Sequence, residues 1–199
     1  MDSTIQIIEK PDWLSWNEIS ALLWQAHGSN REKGMNMKHA SFSGEEIKEH
    51  LEPDGKMFVA LSENKMIGVA AYKPKRASFW FGEGLFAYCC FAAVLPQYTG
   101  KGIYGQLVKT REDSARLQGI DKMMFNTHPR NYRVIQIAQQ FGYKKVDFRA
   151  GRENSWVFMV KWLNGMPYSE SKINIMYAKK KLLFKIKSTI KRVLKKGGR

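Results

Sequence analysis

At 199 residues the chain has room for one domain of ordinary size, or one domain with a tail, and it is long enough to bury a core. With 44% apolar and 13% aromatic residues, and its glycines and prolines dispersed, it is neither a disordered nor a collagen-like sequence. The net charge of +15 is uneven: eleven lysines and arginines and no acid fall in residues 172–199, and subtracting these eleven leaves +4 on the preceding 171 residues, an ordinary surface balance that gives no footprint for nucleic acid.

The two cysteines, Cys89 and Cys90, are neighbours. Adjacent strand positions face opposite sides, so no disulfide framework is expected and a reducing compartment fits. The start Met1-Asp2-Ser3-Thr4-Ile5 lacks the basic and apolar stretches of a secretory signal, and the longest apolar run, residues 85–95, is about half of the roughly twenty residues a helical span needs. The expected location is cytoplasmic, or peripheral at a membrane.

In chain order, Trp13, Leu14, Trp16, Ile19, Leu22, Leu23 and Ala26 recur at steps of three and four. This predicts a helix with Asp12 as its cap and an end near His27-Gly28. Residues 29–42 are polar and aperiodic and read as a connection. Ser43 with Glu46 three residues on is a capping box for a short helix through Ile47 and Leu51, closed by Pro53-Asp54-Gly55. Residues 57–61 and 66–72 are β-type runs that form a hairpin, and residues 73–84 read as a polar, aromatic loop. Residues 85–95 are the central strand, stopped by Pro96. The Gly-rich turn of residues 97–105 leads into a helix carrying Ile103, Leu107, Val108 and Leu117. Residues 122–127 form a strand, and His128-Pro129-Arg130-Asn131 opens a helix bearing Val134, Ile135, Ile137, Ala138 and Phe141, which Gly142 ends. Residues 143–148 and 156–162 close the domain as strands. A hairpin leads into the central strand, so βα alternation is not strict and the predicted fold is a mixed sheet flanked by helices.

A strand, a Gly-rich turn and a helix N-terminus in succession suit an anion, because glycine lets the backbone approach closely and the first helical amides are unpaired. The same pattern also serves as a plain tight turn. Its spacing is neither G-x-G-x-x-G nor G-x-x-x-x-G-K-[ST], so dinucleotide and nucleoside-triphosphate readings lack their motif.

Pro96-Gln97-Tyr98-Thr99-Gly100-Lys101-Gly102-Ile103, after a strand ending Ala92-Ala93-Val94, resembles the acetyl-CoA loop of the GCN5-related N-acetyltransferases. The hairpin of residues 57–72, with Ile67-Gly68 in its second strand, and the segment from Asn131 through Phe141-Gly142-Tyr143 are similar to that family's early hairpin and its N-x-x-A-x-x-x-Y-x-x-x-G-F helix. The resemblance covers residues 14–161. It implies a mostly antiparallel sheet with a splayed parallel strand pair, residues 85–95 and 122–127, and direct attack of a primary amine on acetyl-CoA held in the gap. It further implies that the amides of Ala92 and Val94 pair with the pantetheine arm, that amides of Gly100, Lys101, Gly102, Ile103, Tyr104 and Gly105 hold the pyrophosphate with Thr99 at the head of the signature, and that Asn131 contacts the cofactor.

Departures from the family pattern are local. Thr99 stands where the family has Gln or Arg, and Tyr104 where it has a small residue, so Tyr104 either crowds the pyrophosphate or points away. Ala138 occupies the position of the family's general-acid Tyr. The positions that carry carboxylate bases in relatives hold Tyr88 and Asn126. Glu83, between Gly82 and Gly84, is either the base or a solvated loop residue, and Tyr88 is the second catalytic candidate. His27, Asn30 and Trp80 are candidate acceptor-pocket residues, although Trp80 serves equally as packing. His27, His39, His50 and His128 show no metal-ligand spacing and read as unconnected surface histidines, so no metal is expected. Cys89 and Cys90 read as small core residues.

These observations divide the chain into an N-acetyltransferase domain, residues 1–165, and a basic amphipathic tail, residues 166–199. Met176, Leu182, Leu183, Ile186, Ile190, Val193 and Leu194 share one helical face of the tail among lysines. Such a tail meets an anionic membrane surface, meets an acidic partner, or stays solvated. The expected partners are therefore an amine acceptor and that membrane surface. The missing Tyr and carboxylates also admit a non-catalytic acyl-CoA-binding or membrane-associated module on the same fold.

Overall fold

The computed structural model describes residues 4–35, 37–150 and 155–196. Its strands are β1 (Ile5–Glu9), β2 (Lys56–Ser62), β3 (Lys65–Phe79), β4 (Gly82–Val94), β5 (Lys122–Thr127), β6 (Lys144–Ala150) and β7 (Ser155–Trp162). They form one seven-stranded sheet in the order β1-β2-β3-β4-β5-β7-β6, with a single parallel pair and the rest antiparallel, flanked by helices. The chain divides into two compact units, Met1–Met123 and Met124–Arg199.

In the first unit β1 to β4 form an antiparallel meander. The β2–β3 hairpin turns through Glu63 and Asn64, both at positive φ (50° and 61°), the left-handed pair that matches strand twist. Helix α1 (Trp16–Ala26) and helix α3 (Gly44–Leu51) bury Ile19, Leu22, Leu23, Ile47 and Leu51 with Val59, Val69, Ala71, Cys90 and Phe91 of the strands. On α4 (Ile103–Leu117), Ser114 Oγ lies 2.9 Å from the hydroxyl of the fully buried Tyr72 on β3.

One irregularity in β4 matters for the site. Val69 pairs with Ala93 and Ala71 pairs with Cys90, so Ala70 is opposed by two residues, and Phe91 takes φ 49°. This is a β-bulge, and it turns Cys90 and Phe91 toward the same core.

Several expected boundaries move. Helix α1 starts at Trp16, not after Asp12, because Ser15 and Glu18 make a complete capping box: the Ser15 amide donates to Glu18 Oε2 at 2.9 Å and the Glu18 amide donates to Ser15 Oγ at 3.2 Å. Residues 29–42 contain a short helix α2 (Gly28–Glu32) and a 3₁₀ turn (Lys38–Ser41), pieces too brief to show a period. Residues 73–84 are strand rather than loop. There β3 and β4 continue as a ribbon to Phe79↔Gly82, with Phe79 stacked on Phe81 (centroids 4.8 Å) and set against Phe86 (5.6 Å). Edge strand β1 had no signal beyond Ile5, Ile7 and Ile8. Leu117, assigned to the inner face of α4, is 90% exposed in its last turn.

In the second unit, α5 (Tyr132–Gln140) ends at Gly142, and β6 pairs with β7. Helix α6 (Glu170–Lys196) starts docked on β6: Ile173 is fully buried, Phe184 meets Phe148 at 5.4 Å, and Lys144 pairs with Glu170 at 2.6 Å.

Candidate active site

The site is built where β4 ends. Ala93 is buried, while Ala92 and Val94 are only half-buried. The Leu95 amide donates to Ile67 O at 2.9 Å, which ties the strand end to β3. Pro96 opens a 3₁₀ turn (Pro96–Tyr98) that Thr99 closes through its amide (3.2 Å) and its hydroxyl (2.8 Å), both donated to Pro96 O. Thr99 is thereby committed to the turn.

Gly100 (φ 83°) and Gly102 (φ 75°) then take left-handed conformations, and a Cβ on either would meet nothing within 4 Å. Both glycines therefore border open space where a ligand can approach the backbone. Gln106 donates the first intrahelical bond of α4, to Gly102 O at 3.1 Å, and Gly102 supplies no side-chain cap. The amides of Ile103, Tyr104 and Gly105 are left without a carbonyl of their own helix, at its positive end. The Lys101 ammonium, over the Tyr98 ring at 5.5 Å, adds a cation at the rim. Burial raises the pKa of the Tyr104 phenol.

On the α1 side, His27 caps the helix and reaches the strand end. Its Nδ1 lies 3.1 Å from Asn30 Nδ2 and its ring is hydrogen-bonded to the backbone of Ala92, while burial, and after it the Arg31 charge, lower its pKa. The structure thus brings His27 and Asn30 together beside Ala92. Tyr88 packs against the core under Lys75, whose ammonium sits 4.7 Å over the ring, and burial pushes its phenol up to about 12. At neutral pH Tyr88 is a proton donor, not a base.

Glu83 and Trp80 lie elsewhere. Glu83 is eight residues from Phe91 along extended strand, about 26 Å at roughly 3.3 Å per residue. It accepts from Ser78 Oγ at 2.9 Å, and Lys122 Nζ donates to its carbonyl at 2.8 Å. Trp80 stands on the adjacent turn, edge-on to Phe81 at 5.6 Å. Both therefore stand toward the opposite end of β4 from Ala92 and the His27–Asn30 pair.

The sequence reading missed His39 and His50. The 3₁₀ turn and the end of α3 bring both onto the bulge: His39 lies 5.1 Å from His50, 5.1 Å from Phe42 and 5.4 Å from Phe91, and His50 lies 5.2 Å from Phe91. They are part-buried, not surface histidines. No spacing announces them, because only the fold joins residue 39 to residue 50. Among the described residues no group of three or more His, Cys, Asp or Glu side chains is placed to hold a metal ion. Cys89 and Cys90 are free and buried, and burial pushes the Cys90 thiol well up, which keeps it from acting as a nucleophile.

In the second unit, Asn131 is 7% exposed at the head of α5, with Nδ2 donating to Thr127 Oγ1 at 3.2 Å, and Ala138 is buried.

The family model described as Acetyltransferase (GNAT) family matches residues 16–143, well over half the chain, spanning α1, the hairpin, β4, the glycine loop and α5. The chain belongs to the GNAT acetyltransferase family. Solved structures share the GNAT fold at low identity. The ribosomal-protein-S18-alanine N-acetyltransferase of Escherichia coli matches with a TM-score of 0.64 at 13% identity, covering 84% of this chain and 97% of that one. The ribosomal-protein-alanine N-acetyltransferase of Brucella melitensis matches at 0.60 and 19% identity, over 79% and 99%. The yncA protein of Salmonella typhimurium, a putative acetyltransferase solved with its cofactor acetyl-CoA, matches at 0.60 and 16% identity, over 84% and 99%. No curated protein matches the sequence.

Proposed function

We propose that this GNAT protein transfers the acetyl group of acetyl-CoA to a primary amine on a small molecule, amino sugar or peptide, by direct attack in a ternary complex. The observation that carries the reading is the loop of Gly100 to Gly105: two left-handed glycines bordering open space, followed by three amides with no helical partner. These groups fit a diphosphate. Acetyl-CoA supplies an activated acyl carbon.

The amides of Ala92 and Val94, on the half-buried strand end, hold the pantetheine arm as an added strand. A backbone amide fixed at the strand end faces the carbonyl as negative charge develops on its oxygen, where a preorganised dipole is worth most. The His27–Asn30 pair lines the acceptor side. Tyr88, whose phenol burial keeps protonated, is the candidate proton donor for the leaving sulfur. Helix α6 adds an anchor to anionic membrane: Leu182 and Ile186, 58% and 47% exposed, lie roughly half a turn around the helix from buried Ile173, and Leu183, 54% exposed, about a quarter turn from it, all among lysines. Among the described residues no helix is long and apolar enough to cross a membrane.

Calorimetry with acetyl-CoA, followed by thiol release with spermidine, glucosamine and an alanine-initiated peptide, tests the reading. Binding heat and amine-dependent thiol release are expected. Binding without release from any amine would instead make the protein a non-catalytic acyl-CoA module.

A further inference from the structure

The bulge in β4 carries more histidine than a packing role needs. Three of the chain's four histidines converge on two consecutive residues: His27 on the backbone of Ala92, and His39 and His50 on the ring of Phe91. The His39–His50 pair is walled by Phe42 on the outer side (5.1 and 6.0 Å) and by Phe91 beneath. His50 Nε2 is buried and has no hydrogen-bond partner within the protein. Such a buried nitrogen is free to exchange a proton with a group brought beside it.

We propose that His39 is the general base that takes the proton from the acceptor amine, and that His50 is its positioning partner, receiving or sharing that proton at Nε2. The inference rests on the acetyl-transfer reading, which places the thioester carbonyl at Ala92. The amine lone pair forms the new C–N bond, the C–S bond breaks with its electron pair leaving on sulfur, and the ammonium proton passes to the imidazole. Rings 5.1 Å apart at their centroids bring nitrogen within one hydrogen bond of nitrogen once each turns toward the other.

The surroundings keep both rings unprotonated near neutral pH. His39 is faced by His50, Lys38 and Lys75; burial first, then these charges, hold it down to about 4. His50 is faced by Lys75 and Lys73 and is lowered by burial and both ammoniums. Lys73 is itself engaged with the carbonyls of His50 and Glu52, and Lys75 covers Tyr88. No carboxylate is among the groups that register on either histidine, so both rings are neutral acceptors at physiological pH.

The test compares wild type with His39→Gln, His50→Gln and the packing control His50→Phe, using whichever of spermidine, glucosamine or an alanine-initiated peptide gives the fastest thiol release. His39→Gln should lower kcat about 100-fold and leave the KM for acetyl-CoA within about twofold. His50→Gln should move the acid limb of the kcat/KM profile to higher pH, because His39 loses a neighbour that holds its pKa down. His50→Phe should do the same with folding intact. Independently of any acceptor, acetyl-CoA alone should shift the imidazole nitrogen resonances of His39 and His50 more than those of His128. Unchanged kcat and acid limb in the variants, or equal shifts at all three histidines, would overturn the assignment. A wild-type chain that gives no heat with acetyl-CoA would remove the transfer reading itself, a result read without any histidine variant.

Discussion

Mild acid should destabilise this protein, and the histidines on the bulge set how much. His39 is held from 6.5 down to about 4, so below pH 6.5 the unfolded chain binds a proton that the folded chain refuses. Stability is full above 6.5 and falls progressively as the pH drops toward 4. A fully shielded ring would lose about 3 kcal/mol over that range at roughly 1.4 kcal/mol per pH unit of displacement, and solvent screening at a part-exposed ring reduces this to ~1–2 kcal/mol. His27 and His50 are lowered as well and add in the same direction. Urea unfolding followed by tryptophan fluorescence at pH 7, 6 and 5 reads the effect. At an m-value of about 2 kcal/mol per molar, the part of this loss reached by pH 5 should lower the midpoint by roughly 0.3–0.6 M, and His39→Phe, which keeps a ring against Phe42 and Phe91, should flatten part of that slope. The window is clean, because the capping carboxylates Glu18 and Glu46, held low by Ser15 and Ser43, lose their contribution only as the pH falls through and below 4.5. A midpoint constant from pH 7 to 5, or a His39→Phe slope identical to wild type, would refute the reasoning.

Gly102→Ala should weaken acetyl-CoA binding at least tenfold by calorimetry while lowering Tm by only a few degrees, because φ 75° strains any side chain by about 1–2 kcal/mol and the added methyl enters the space open to a ligand. Glu83→Gln should leave kcat and its pH profile unchanged in the thiol-release assay, since that carboxylate bonds to Ser78 at the far end of β4. Replacing Leu182, Leu183 and Ile186 together with Ser should abolish co-sedimentation with phosphatidylserine vesicles at unchanged Tm. Truncation is the wrong experiment there, because Ile173→Ala alone should cost about 2–5 kcal/mol from a fully buried site on β6.

What could be read from the sequence was local chemistry, and what could not was juxtaposition. Ser43 and Glu46 satisfy each other's backbone within one helical turn, so α3 was legible, and the same logic at Ser15 and Glu18 outranks Asp12 once both partners are weighed. The run of residues 85–95 and the glycine loop declare a strand and a turn by composition alone. The ribbon beyond Lys73 hides, because its strands are polar on the exposed side and are held by a cross-strand ring pair, Phe79 against Phe86. His39 belongs to an aperiodic stretch and His50 to the last turn of a helix, so nothing nearby in sequence couples them. Glu83 stands beside a glycine pair in sequence, and strand rise sets it toward the opposite end of β4 from Ala92.

The inserted residue at Phe91 resets the phase of the strand. Upstream, the even-numbered Tyr88 and Cys90 look toward the helices; downstream, the odd-numbered Ala93 and Leu95 do. Removing that single residue would exchange the two sides of everything before it, carrying Tyr88 from the face covered by α1 and α3 to the face covered by α4.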